Sequence, residues 1–193
     1  MENKIQIGIG CQDTVKAKTF ASMMGLLIMS KANITGYSMR QGGDIVGART
    51  FCVKDAIAKK ATHIFFIDSD MEVPPDTIDR LLAHNKEIVT VEYSRRKLPV
   101  DSVTTPLEEK SETELYKARG IGGGCLLIKL DIFEKLEQPW FNFGRDGNGV
   151  LVMGEDTWFA NTARDAGYDV WIDPTIKVGH VGEYVYMMDD KNT

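Results

Sequence analysis

Asp68 and Asp70 follow the apolar run His63-Ile64-Phe65-Phe66-Ile67, with only Ser69 between them. Two carboxylates this close repel, which costs free energy unless a cation lies between them. Magnesium takes one or two carboxylates and completes its shell with water and phosphate oxygens. The pair therefore suits a metal–diphosphate site, although the same spacing also suits a polar turn that ends a strand. A bulky apolar run stopping abruptly in acids predicts a central parallel strand buried on both faces. Open α/β sheets bind ligands beyond the carboxyl ends of such strands.

A second acid pair, Glu155 and Asp156, lies in Met153-Gly154-Glu155-Asp156-Thr157-Trp158-Phe159. Acids at the start of a helix are favoured by its dipole, which is the simplest account of them. Trp158, Phe159 and Ala163 turn the other face of that helix to the core, so the acids belong at a cleft edge. A carboxylate there can act as a general base. His180 stands between Gly179 and Val181-Gly182. A lone histidine is commonly structural, but flanking glycines let backbone approach a ligand. Arg49 in an apolar-periodic helix is either a surface residue or an anion contact. Arg95 and Arg96 are solvated or touch phosphate. Gly122-Gly123-Gly124 precedes a strand and does not open a helix, so it matches neither a dinucleotide fingerprint nor a P-loop.

These residues need elements to hold them. Residues 4–10 place Ile at alternate positions, a strand pattern ending in glycine. Helical spacing marks 19–31, where Phe20, Met23, Met24, Leu27 and Ile28 predict a buried amphipathic helix with methionine as core filler. A strand is expected over 34–39, a polar loop at 41–44, and a helix over 45–60. Pro74-Pro75-Asp76 opens another helix, whose Ile78, Leu81 and Leu82 face the core. Strands are expected over 87–91, 125–128, 168–172 and 175–178, and order resumes at 115–117. Helices are expected over 131–136 and 155–166, the latter closed by Gly167. Residues 94–114, with Arg95, Arg96, Lys97, Pro99 and Pro106, read as a mobile surface excursion, 144–149 as a loop, and the tail as acidic. The alternation indicates an α/β fold.

Composition narrows the class. The chain has 193 residues, net charge −5, 43% hydrophobic and 26% charged residues, ordinary for one globular domain spanning 1–193. The acidic balance disfavours general nucleic-acid binding. Cys11, Cys52 and Cys125 are odd in number and form no CxxC pair, which suits reduced thiols in the cytoplasm. No signal-peptide layout or transmembrane stretch is expected. No pattern encodes the oligomeric state, and an oligomer stays open.

Taken in order, several segments resemble a GT-A-fold glycosyltransferase. Ala48-Arg49, then Thr62-His63-Ile64-Phe65-Phe66-Ile67-Asp68-Ser69-Asp70-Met71, look like its nucleotide-sugar half with a DxD motif. Gly122-Gly123-Gly124-Cys125-Leu126-Leu127-Ile128 is similar to its glycine-led strand on the acceptor side. Gly154-Glu155-Asp156-Thr157-Trp158-Phe159 and Ala166-Gly167-Tyr168 resemble its acid motif and following helix, and His180 its late metal-binding histidine. Compact versions occur among bacterial and phage-type enzymes.

The resemblance implies an α/β GT-A fold with a mostly parallel central sheet flanked by helices. It implies a transferase that moves a sugar from a nucleotide sugar, a UDP-sugar, to an acceptor hydroxyl of unknown identity, with inversion. Asp68, Asp70 and His180 would hold manganese or magnesium; an imidazole ligand tilts the choice toward manganese. Asp156 would be the base, with Glu155 positioning it or contacting the acceptor. Arg49, Asp68, Gly10 and Asp13 would contact the nucleotide. Thr50 stands where the family often has Asn, and little chain follows His180 for an acceptor. The alternatives are a nucleotidyltransferase or other phosphate-chemistry α/β enzyme, a sugar-nucleotide hydrolase, and a non-catalytic binding module.

Overall fold

A computed structural model describes residues 2–96, 99 and 101–182; Lys97 and the acidic tail fall outside the described residues. In chain order the elements are β1 (Ile5–Cys11), α1 (Ala17–Met29), β2 (Ile34–Gln41), α2 (Ile45–Ala58), β3 (His63–Ile67), β4 (Met71–Glu72), α3 (Thr77–Ala83) and β5 (Ile88–Val91). Then follow β6 (Thr105–Pro106), β7 (Tyr116–Gly120), β8 (Cys125–Lys129), a 3-10 turn (Leu130–Glu134), β9 (Gly144–Arg145), β10 (Leu151–Met153), α4 (Glu155–Asp165), β11 (Val170–Asp173) and β12 (Gly179–His180).

Eight strands form one sheet in the order β2-β1-β3-β8-β5-β11-β7-β6. β1–β2, β1–β3 and β5–β11 pair in parallel, whereas β7 and β8 run against their neighbours. The α/β expectation holds, with a mixed sheet in which most strands share one direction. β3 is central and fully buried, as its apolar run predicts, but β8 beside it is antiparallel. Burial on both faces is written in side chains; the direction of a neighbour is not.

The sheet separates two cores. Ile64 and Phe66 of β3 join Phe141 and Phe159 on the face covered by α2 and α4. Phe65 and Ile67 join Ile5, Ile7, Leu26, Ile78 and Leu81 on the other. All three cysteines are free and buried, and burial pushes the Cys52 thiol up to about 11. Helix α4 ends as its glycine predicts. Gly167 N–H donates to Arg164 O at 2.8 Å and Tyr168 N–H to Ala163 O at 3.0 Å, a Schellman closure.

Three expectations are corrected. The apolar stripe of α1 is not core: Phe20, Leu27 and Ile28 are exposed, and the helix buries Thr19, Ser22 and Leu26. Ser22 Oγ accepts from Val73 N–H at 3.0 Å, so the small polar side of α1 faces the body of the protein. Helical periodicity reveals a stripe but not whether a partner covers it. Residues 175–178 form no strand; 175 and 176 bend the chain. Asp173 Oδ1 accepts from Thr175 N–H at 2.8 Å and from its hydroxyl at 2.6 Å, turning the chain. Residues 94–114 contain β6 and a bridge between Ser94 and Ser102, and Thr104 is buried. Of the 144–149 loop, Gly144 and Arg145 form β9 and pair with β10, and the residues between make the hairpin turn.

Candidate functional site

The site forms beyond the carboxyl end of β3. Here Asp68, Ser69 and Asp70 meet the end of β1 and the loop entering α2. A pocket of about 380 Å³ lies between them, lined by Gly10 to Gln12, Gly42 to Ile45, Ala48, Asp68 to Asp70 and Phe143. Gly42 and Gly43 have φ of +73° and +75°, a turn open to glycine, and bring the chain sharply to the start of α2. Asp44 caps that helix, Oδ1 accepting from Gly47 N–H at 2.7 Å. The first turn of α2 thus faces the pocket with its positive dipole end.

Arg49 lies one turn further along α2 and is buried. It is neither a surface residue nor a free anion contact. Its Nε donates to Glu155 Oε1 at 3.1 Å, Nη1 to Gly123 O at 3.1 Å, and Nη2 to Asp68 Oδ1 at 3.1 Å and Oδ2 at 3.3 Å. The guanidinium also lies 5.1 Å from the centroid of the Phe66 ring. Burial opposes its charge, but Asp68, Glu155 and Asp156 outweigh burial and hold it protonated more firmly than an ordinary arginine. The glycine run explains itself here: a Cβ on Gly123 would stand 2.5 Å from Arg49 Nη2. Only a residue without a side chain leaves room for the hub.

Glu155 and Asp156 open α4 and serve different partners. Glu155 is buried against Arg49. Asp156 Oδ2 accepts from Gly123 N–H at 3.2 Å and Oδ1 from Thr157 N–H at 2.7 Å. Burial, then the neighbouring Glu155 charge, pushes the Asp156 pKa above the usual carboxylate value. Burial likewise raises Asp68, beyond what Arg49 restores. A carboxylate with a raised pKa is better matched to proton transfer near neutral pH.

Asp70 faces a different set of groups. Its Oδ2 lies 2.7 Å from Arg96 Nη1 and 3.5 Å from His180 Nε2. β12 brings His180 there by pairing antiparallel with β4, and Val181 N–H donates to Asp70 O at 2.7 Å. His180 Nδ1 lies 2.9 Å from Ser94 O and donates to it, while Nε2 faces the Asp70 carboxylate. The ring stands edge-on to Tyr93 at 5.5 Å. Burial pushes Asp70 up, but the hydrogen bond and charge of His180 and the charge of Arg96 bring it below the usual carboxylate range. The Asp70 hydrogen bond raises His180.

Of the residues singled out from sequence, Arg49, Asp68 and Glu155 are joined, Asp156 is tied to Gly123, and Asp70 meets His180. Gly10 lines the pocket. Asp13 is exposed and is not among the lining residues; its side chain receives the Thr14 hydroxyl at 3.4 Å. Asp68 turns both oxygens to Arg49, and no cluster of three or more acid, histidine or cysteine groups suited to a metal occurs among the described residues. Asp70 Oδ2 and His180 Nε2 lie 3.5 Å apart, two groups of the types that ligate a divalent cation, and Arg96 Nη1 occupies the same Asp70 oxygen. Sequence reasoning misses Tyr93, whose hydroxyl accepts from Gly124 N–H at 2.9 Å, and Phe143 on the pocket wall. Neither carries a sequence signal, since each is placed by loops. Arg96 is visible in the sequence only as half of an Arg-Arg pair.

The fold has known counterparts. The chain superposes on A197 from STIV with a TM-score of 0.68 and 17% identity, over 94% of this chain and 86% of that one. It superposes on GalNAc-T7, solved with UDP, GalNAc and Mn2+, with a TM-score of 0.58 and 14% identity, over 94% of this chain and 44% of that one. In sequence, it is 28% identical over 95 residues to 4-hydroxy-3-methylbut-2-enyl diphosphate reductase of Pseudoalteromonas translucida (strain TAC 125). That match spans 49% of this chain and 31% of the reductase. No family model matches the sequence. Among the described residues no helix is long and apolar enough to cross a membrane. The chain has the α/β fold of a GT-A glycosyltransferase.

Proposed function

We propose that the protein, as one domain over 1–193, is a metal-dependent glycosyltransferase that moves a sugar from a nucleotide sugar to an acceptor hydroxyl. One observation carries the proposal: in a GT-A-like fold, the glycine-lined pocket at the ends of β1 and β3 opens onto Asp70, with Asp156 close by through Arg49 and Gly123. The pocket would take the nucleotide, with Gly10 at its floor and the first turn of α2 toward the phosphates. The complex of GalNAc-T7 with UDP and Mn2+ supports a UDP-sugar and manganese.

Asp70 and His180 would hold the cation, with substrate oxygens and water completing the shell. Bound there, manganese or magnesium supplies Lewis-acid stabilisation of the leaving diphosphate. Asp68 holds Arg49 in place, and this pairing keeps the floor of the pocket rigid. Asp156 takes the proton of the acceptor hydroxyl as its oxygen bonds to the anomeric carbon. The bond from that carbon to the phosphate oxygen breaks, and its electron pair leaves with the nucleoside diphosphate. Attack from the face opposite the leaving group inverts the anomeric centre. Glu155 positions Asp156 indirectly, through Arg49 and the Gly123 backbone.

Nucleoside diphosphate release from a panel of sugar nucleotides, with manganese or chelator and with candidate acceptors, tests the proposal. Release confined to one donor and abolished by chelator is expected. Failure to bind any sugar nucleotide in the presence of manganese overturns it.

A further inference from the structure

The sheet has two edges, and they are built differently. β6 is two residues long and ends in Pro106, an edge that resists further pairing. β2 is eight residues long, Ile34–Gln41, with neither proline nor lysine, and among the described residues it pairs only with β1. Its irregularity is confined to the first residues, opposite Ile5 and Gln6. Lys59 Nζ donates to Tyr37 O at 3.2 Å, but this exposed side chain is shared with Asp55 and covers a single carbonyl.

Beside this edge lies the uncovered face of α1. Between helix and strand runs a groove of about 450 Å³ floored by Ile7 and Ile9. Phe20, Met24 and Leu27 of α1, with Tyr37 and Met39 of β2, line it and are exposed by 38–63%. Methionine-rich apolar surface of this kind adapts to a partner. The largest apolar patch on a monomer is often functional.

We infer that this face is the two-fold interface of a homodimer, in which β2 pairs antiparallel with β2 of a second copy and the two α1 helices close over the joined grooves. Three observations select a second copy. The first is area. At roughly 200 Å² for a free side chain of this size, these five residues expose on the order of 500 Å², so two copies bury about 1,000 Å², the least that a specific interface needs.

The second observation is self-complementarity. Tyr37 and Met39 lie opposite Ile7 and Ile9 and share the α1 side of β2, and two-fold pairing centred on Tyr37 keeps that side on the same face in both copies. It sets Thr35 opposite Met39 and Arg40 opposite Ile34, so no like charges meet. The third concerns a bilayer, the other apolar partner. Hydrocarbon would leave the open β2 backbone groups without hydrogen-bond partners, whereas a second strand satisfies them.

Analytical ultracentrifugation of the full chain from about 1 to about 100 µM reads the outcome directly. A species of twice the 21.6 kDa chain mass is expected, and a monomer throughout overturns the inference. Leu27→Asp with Tyr37→Lys should weaken dimerisation at least about 100-fold; a double variant that dimerises like wild type overturns the interface assignment. Both positions are exposed, so the circular dichroism spectrum should match wild type, and the melting temperature should lose the concentration dependence that dimerisation gives wild type. Hydrogen exchange on wild-type protein needs no variant: β2 amides should gain protection as concentration rises, and unchanged protection overturns the pairing. Flotation with phosphatidylcholine–phosphatidylglycerol vesicles should leave the protein behind; a monomer that floats assigns the face to a membrane instead.

Discussion

Arg49 Nε donates to Glu155 Oε1 at 3.1 Å, joining the second helix to the first residue of the last across 106 positions of chain. The same guanidinium holds Asp68 at the end of β3 and the carbonyl of Gly123. One cation thus ties the strand bearing the first acid pair to the helix bearing the second. Burial makes this contact structural: the charges satisfy one another away from water, and removing one leaves the others exposed to a low-dielectric surrounding.

Arg49→Met should therefore lower stability by about 3–5 kcal/mol, measured by urea unfolding. Arg49→Lys should recover only part of the loss, because an ammonium cannot reproduce the guanidinium fork to Glu155, Gly123 and Asp68. Wild-type stability in Arg49→Met would show that the hub carries no net stabilisation.

Gly123→Ala should cost about 1–3 kcal/mol by overpacking. Its Cβ would reach Arg49 Nη2 at 2.5 Å and force the guanidinium off its partners. Gly147→Ala, in the hairpin turn, meets nothing within 4 Å and serves as the control. Equal unfolding midpoints for the two variants would contradict the close approach.

Asp70→Ala should abolish manganese-dependent UDP binding while leaving the unfolding midpoint near wild type. Isothermal calorimetry with and without manganese separates metal-assisted from metal-free affinity. Unchanged UDP–manganese affinity would remove Asp70 from the cation site.

Asp156→Asn should spare donor binding and reduce turnover by about 10²–10⁴-fold. Burial and Glu155 raise the Asp156 pKa. The wild-type rate should thus fall on acidification at a pH above the ordinary aspartate value of 3.8. A pH–rate profile flat down to pH 4, or full turnover in the variant, would exclude Asp156 as the base.

Asp173 gives a stability prediction of opposite sign to a raised carboxylate. Burial pushes it up, but hydrogen bonds from Thr175 and His84 bring it below the ordinary aspartate value of 3.8. A depressed carboxylate contributes stability that is present above the ordinary value and is lost as pH falls through the folded-state value. Asp173→Asn should be less stable than wild type at neutral pH, with the gap closing below about pH 4. A gap that is independent of pH would mean that the loss comes from packing, not from charge.

Local pattern alone makes much of this molecule legible. The alternating isoleucines of β1, the apolar run of β3 and the glycine closing α4 each encode an element through backbone preference and side-chain spacing, which act within a few residues. The two acid pairs are legible for the same reason, as abrupt charge at the ends of apolar segments. Their partners are not. Arg49 and Glu155 are brought together by packing α2 and α4 on one face of the sheet, and Arg96 reaches Asp70 from a loop without periodicity. The direction of β8 and the exposure of the α1 stripe are equally hidden, because an apolar face looks the same whether the protein covers it or leaves it to another molecule. Sequence determined which segments are apolar, where they stop and which carry acid. Only the tertiary structure decided which charges neutralise one another and which apolar face stays open, since both depend on contacts between residues far apart in the chain.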